Sequence, residues 1–392
     1  MKTERLYFID RLRFMAVIVL IFFHSALIFA AESNFPIKNN ELSMLMEELV
    51  FFFHGWRLAL LFLISGVGTS IALQFRNNST YLKERGRRLL IPLVFGILVV
   101  VPPQIYFERL SQGFAFDSYS SFYLQSFSTG LYPYGNISWN HLWFVAYLLI
   151  YSVLSLPVFI WIKNHNTVWM DTITRNGGII FWAIPFAFVV VLLKPYSPGV
   201  QNIVDDLAMF FFYWLIFIAG FCVNQKKYWP FIENNFTPIA FGTVLLTVLI
   251  YFFRWNFQQM EKGDVSYLTY HFMKAANSWL WILILLALSK KFLNTPGKFL
   301  PLLNEAVYPV YILHQTVIIC MGYFVVQQTW NIGVKFLLIT TGTLLICWLL
   351  FLLLRLNKLT RVCFGIAEKS CFKKSKVPPQ THAKSIATGE RF

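Results

Sequence analysis

Ten apolar runs, each long enough to cross a bilayer, dominate this chain and leave few folds open to it. With soft edges they are 14–31, 50–73, 89–107, 142–162, 178–194, 207–224, 237–253, 269–289, 305–327 and 333–355. A run of about 20 apolar residues is what one helix needs to span the hydrocarbon. The expected fold class is therefore an all-α polytopic membrane protein with about ten transmembrane helices. Composition agrees: 57% of the residues are hydrophobic and 13% charged, against about 25% charged in a soluble domain. The 42 Phe suit lipid-facing and interfacial surfaces. The five Cys show no metal-ligand spacing, and no disulfide framework is expected. The first run is long and lacks a small-residue cleavage site, so it reads as a span and not as a removable leader.

The basic residues set the orientation. With the N-terminus inside, 25 of the 33 Lys and Arg fall on inner segments. They include Arg11 and Arg13 at the tip, Arg76 to Arg88 between the second and third runs, and Arg355, Arg361 and the lysines that follow. Outer segments instead carry Glu32, Glu41, Glu47, Glu48, Asp117, Asp205, Asp206 and Asp264. This positive-inside bias predicts that both termini are cytoplasmic. Residues 1–356 read as one membrane domain. Residues 357–392 read as a basic tail, expected to be disordered and to rest on anionic lipid. The outer loop 108–141 is too long and too aromatic for a tether, and is expected to fold over the outer mouth. The chain shows no internal repeat, which disfavours a secondary transporter.

One imidazole, His24, lies in the middle of the first run, eleven residues after Arg13. That spacing is about three helical turns, so both lie on one face, roughly 16 Å apart along the axis. A basic group at the surface thus stands beneath a titratable group near the midplane. Ionisable groups at that depth are functional candidates, although a structural His bonded to a neighbouring helix fits the spacing equally well. His314 lies about nine residues into its run, roughly 13 Å deep, so it could flank the same cavity. It could equally be a structural His paired with Tyr311 or a backbone carbonyl. Arg85 and Arg88 share a helical face, and a guanidinium pair suits phosphate. Ordinary topology charge explains the same pair. His54 and Arg57 at one outer helix end, and Trp139, His141 and Trp143 at another, could stack on and bond a sugar. Taken singly, the tryptophans read as the interfacial belt. With no Gly-rich phosphate loop, no metal-binding His-Glu pair and no Ser/His/Asp set, an enzyme built from these parts would use His as a general base.

Read in order, these segments resemble the acyltransferase-3 family of integral-membrane acyltransferases. The matching pieces are Asp10-Arg11-Leu12-Arg13 with His24, Phe62-Leu63-Ile64-Ser65-Gly66, the Arg85/Arg88 pair, His141-Leu142-Trp143-Phe144 and Tyr311-Ile312-Leu313-His314. Within the family, His54-Gly55-Trp56-Arg57, Val101-Pro102-Pro103-Gln104 and Asn136-Ile137-Ser138-Trp139-Asn140-His141 are most similar to the glucan-biosynthesis-protein-C branch. The resemblance implies an O-acyltransferase of the bacterial inner membrane. Acyl-CoA, either succinyl-CoA or acetyl-CoA, would be the donor substrate, with no permanently bound cofactor. Arg13, Arg85 and Arg88 would hold the donor, and His24, aided by Arg13, would deprotonate an acceptor hydroxyl. His54, Trp139, His141, Trp143 and His314 would meet an extracytoplasmic glycan. Lipids and a second copy of the chain are the other partners considered; nucleic acid is not. Two rival readings stand beside this one. The first is a proton-coupled transporter with His24 and His314 as relay groups. The second is a non-catalytic partner in a glycan-assembly complex.

Overall fold

The computed structural model describes residues 6–165, 175–197, 199, 201–223, 228–257 and 260–367. Helices account for nearly all the regular structure. Among the described residues the only β pairing is two isolated bridges, Ala30 with Ser43 and Leu131 with Ile137. Seven helices among the described residues are long and apolar enough to cross a membrane, or eight if the bent pair 140–154 and 156–164 counts as one. All ten expected runs have a helical counterpart, but two fall short of that measure. The first helix, Tyr7–Leu27, carries Asp10, Arg11 and Arg13 in its opening turns. The helix Leu207–Val223 has only 17 residues.

Burial separates core from periphery. Val265–Leu293 has 72% of its most apolar stretch inside the protein, whereas Phe236–Asn256 has 17%. The latter turns Phe241, Val244, Val248 and Phe252 outward, a surface that suits hydrocarbon. The tightest helix pair is Arg57–Phe75 against Leu207–Val223. A Cβ on Gly66 would sit 2.0 Å from the Phe217 carbonyl oxygen, and one on Gly220 2.1 Å from that of Leu63. Only glycine lets these backbones meet so closely.

The two ends of the bundle differ in charge. At one end, Arg11 donates to Thr295, Lys163 to the Leu73 carbonyl and Lys290 to Glu233. Arg355 pairs there with Glu305 at 3.1 Å. At the other, Arg254 meets Glu32, Glu47 and Glu48. We call these the arginine end and the loop end. The 34-residue helical stretch Asn78–Ser111 connects them. It widens into π-helical turns at Gly86–Leu90 and Gly96–Val100, a distortion often found at functional sites.

After residue 356 the described chain continues as folded structure to residue 367. Asn357 caps a helix, Lys358–Cys363, through the Leu359 N–H. Arg361 is buried and pairs with Glu305 at 3.1 Å, while Phe364 and Ile366 join the core. The reason is local: an Asn N-cap and two apolar side chains dock what its lysine-rich surroundings mark as tail. Residues 368–392 and the tip lysine and arginine, Lys2 and Arg5, lie outside the described residues.

Candidate active site

The first helix packs beside Leu300–Val325, which brings His24 and His314 into contact. His24 Nδ1 and His314 Nε2 are 2.8 Å apart, and His314 Nδ1 lies 2.5 Å from the Tyr311 carbonyl oxygen. A carbonyl can only accept, so His314 carries its proton on Nδ1. Its Nε2 then accepts from His24 Nδ1–H when both rings are neutral. His24 Nε2 is left with a free lone pair. His314 is fully buried, whereas His24 lines a cavity of about 850 Å³ at the loop end. The ring able to take a proton is therefore the one that faces open space. The other ring fixes its tautomer and orientation.

A second polar cluster braces this pair from the far side. The His141 ring stands edge-on to His314 at 5.2 Å between centroids. Its Nε2 donates to the Ile312 carbonyl at 2.9 Å, and the Tyr311 hydroxyl donates to the His141 carbonyl at 2.5 Å. Gln104, fully buried, ties three elements together. It donates to Thr316 at 2.7 Å and accepts from Asn140 at 2.8 Å and from Gln315 at 3.3 Å. Buried polar groups bonded this completely are rigid, so the imidazoles are held in place before any substrate arrives.

The arginine end holds a second cavity of about 850 Å³. Arg13, Arg76, Arg85, Arg88 and Arg361 line it, against two acids, Glu84 and Glu305. Arg85 donates to Thr69 at 2.8 Å, and its guanidinium lies 5.1 Å from the centre of the Tyr81 ring. Both side-chain polar atoms of Asn304 and the Tyr308 hydroxyl are buried without a hydrogen-bond partner among the described residues. Asn304 and Tyr308 both line this cavity. A positive wall with unmatched polar atoms is what a polyanionic ligand with amide groups requires.

Phe144 and Tyr311 line both cavities, so the two share one wall. The loop does reach over its mouth, as expected from sequence: Glu108, Tyr132, Asn140 and His141 all line the loop-end cavity. Tyr132 donates to Glu108 at 2.9 Å, and burial beside that carboxylate pushes the phenol up to about 12, so it stays a donor. Of the expected acceptor residues, His54, His141 and Trp143 line this cavity. Trp139 instead packs against the core. His314 is one contact away, behind His24. Sequence reasoning passed over Gln104 as a bonding hub, and also Asn304, Tyr308 and Arg361. Gln104 stands in the Val101-Pro102-Pro103-Gln104 pattern, which does not reveal its bonding role, and no residue pattern marks Asn304 or Tyr308. Arg361 was counted as tail charge.

Comparison with known proteins agrees in extent. The profile of the acyltransferase-domain family matches residues 6–352. Glucans biosynthesis protein C of Escherichia coli (strain SMS-3-5 / SECEC) is 22% identical over 338 residues, covering 82% of this chain and 84% of that protein. The Escherichia coli (strain K12) protein of the same name gives the same identity and coverage. No solved structure matches.

Proposed function

The chain belongs to the acyltransferase-3 family, and from that membership we propose that it carries an acyl group from acyl-CoA to a hydroxyl of an extracytoplasmic glycan. It is a multi-pass membrane acyltransferase. The donor, acceptor and catalytic roles are our reading, supported by the arrangement of the two cavities. Acyl-CoA, carrying a succinyl or acetyl group, enters the arginine end, which we place in the cytoplasm together with both termini. Arg13, Arg85 and Arg88 meet its phosphates, and Arg76 and Arg361 add to the positive charge of that wall. The pantetheine arm runs past Tyr311 and Phe144 toward His24. The glycan enters from the loop end against His54, His141 and Trp143. The curated relatives are named for glucan biosynthesis, which supports a glycan as acceptor.

The chemistry then follows from the tautomers. His24 Nε2 takes the acceptor proton as the hydroxyl oxygen attacks the thioester carbonyl carbon. The tetrahedral intermediate collapses with cleavage of the C–S bond, and the leaving CoA thiolate takes the proton back from His24. His314 stabilises the imidazolium by keeping its Nε2 on the His24 Nδ1–H. The observation that carries this reading is the free nitrogen of His24, in a cavity that shares Phe144 and Tyr311 with the arginine-lined one. The test is transfer of label from acyl-CoA to glycan by purified protein. Transfer by wild type and none by His24→Ala supports it. Proton-coupled glycan uptake without any CoA ester would replace it with a transporter.

A further inference from the structure

The loop-end cavity has an unbalanced charge that nothing so far explains. Five ionisable acids and bases besides histidine line it: Glu47, Arg57, Glu108, Arg254 and Lys274. Three already have polar partners. Glu47 accepts from the Ser33 hydroxyl at 2.8 Å and from the Glu32 and Ser33 N–H groups. Glu108 accepts from Tyr132. Arg254 meets three carboxylates, at 2.9 Å for Glu32, 3.6 Å for Glu47 and 3.3 Å for Glu48.

Arg57 and Lys274 have no carboxylate partner among the described residues. Arg57 is only 4% exposed, and its Nε is buried with no hydrogen-bond partner among the described residues. Its Nη1 meets His54 Nδ1 at 3.3 Å, and its guanidinium lies 3.3 Å from the centre of the Phe23 ring. An imidazole and a phenyl face can hold a cation, but neither neutralises it. Lys274 is half-buried against rings: its Nζ lies 5.0 Å from the Phe51 centroid and 5.2 Å from that of Tyr270. Lys274 also lines a side recess of about 220 Å³, where Lys194 and Asp206 stand as one charge of each sign. Arg57 and Lys274 are therefore the cavity's two cations without a carboxylate partner among the described residues. Burying unpaired cations is costly, and the cost is offset when a ligand brings the anion. His54 and Leu58 line both the cavity and the recess, so one ligand can reach both cations.

We propose that Arg57 and Lys274 form an anion subsite that receives a carboxylate or phosphate group of a substrate. The proposal rests on the acyltransferase reading of this cavity and names its substrate class. Two sources supply such a group. One is the far end of a dicarboxylic acyl chain, reaching past His24. The other is an acidic substituent on the glycan.

The test is binding to the purified full-length protein, with no turnover required. One arm compares succinyl-CoA with acetyl-CoA. The other compares a neutral glucan oligosaccharide with its carboxymethylated form. In one arm the charged member should bind about 10-fold tighter or more, as a charge-assisted bond allows. Arg57→Gln and Lys274→Gln should each bring the ratio of charged-member to neutral-member affinity close to one. The arm that shows the preference identifies the source. Equal binding in both arms, or a preference that survives both substitutions, overturns the subsite. Lys274→Gln, at the more open position, decides the matter if Arg57→Gln fails to fold. Anion preference without any acyl transfer would instead count against the acyltransferase reading, because that reading requires turnover.

Discussion

At the scale of single residues, the account turns on which imidazole holds the free lone pair. His24→Ala should lower transfer by about 10²–10⁴-fold, the usual contribution of a general base, while acyl-CoA still binds. Turnover within a few-fold of wild type in folded protein would remove His24 from that role. His314→Ala should cost less, because it removes only the acceptor for His24 Nδ1–H. His314→Gln should recover part of the loss, since an amide oxygen can accept the same bond. A packing role alone predicts no such recovery, so kcat for the three proteins separates the two. Arg85→Ala and Arg88→Ala should weaken donor binding by roughly 10–100-fold each, the worth of a charged hydrogen bond. Lysine at either position should restore it only in part, because it lacks the planar fork. Titration with acyl-CoA checks this, and unchanged affinity in the double variant would return the pair to topology charge. Much of this was legible in the sequence: helical spacing gave His24 its depth, and a similar depth suggested His314. Their direct contact was not legible, because no spacing rule says which faces of two helices meet. Trp139 and Trp143 look alike in sequence, yet Trp143 lines the cavity and Trp139 packs on the core. A belt of aromatics does not reveal which ring turns inward.

At the scale of elements, hydropathy located every long helix but not how closely helices approach. The contact between Arg57–Phe75 and Leu207–Val223 depends on Gly66 and Gly220, which apolar runs do not distinguish from other glycines. Gly66→Val should prevent that approach and lower the midpoint of thermal unfolding or abolish folding, since backbone atoms cannot move aside as a side chain can. Gly68→Ala is the matched control. Its Cβ would lie 3.5 Å from Arg13 Nη2, an ordinary contact, so folding should survive. Equal melting temperatures for the two variants would contradict the close-packing argument. The helix Lys358–Cys363 shows the limit of reading by charge. Composition marks this segment as tail, but the Asn357 cap, Phe364 and Ile366 bring Arg361 into the arginine-lined cavity. Local capping and two apolar side chains outweigh the surrounding lysines.

At the scale of the whole molecule, the design is two cavities with one shared wall. One is rich in arginine; the other is lined by residues of the 108–141 loop and by His24. The two ends of the structure differ in charge. Lys163, Lys290 and Arg355 make their contacts at the arginine end, while Glu32, Glu47 and Glu48 gather at the other. From this we expect donor and acceptor to reach one reaction centre from opposite faces of the membrane. The direct measurement uses sealed proteoliposomes of known orientation, with acyl-CoA supplied on one face and glycan on the other. The account predicts transfer only when acyl-CoA is on the face that exposes the arginine end, with modified glycan appearing on the opposite face. Transfer with both substrates confined to the arginine-end face would contradict it.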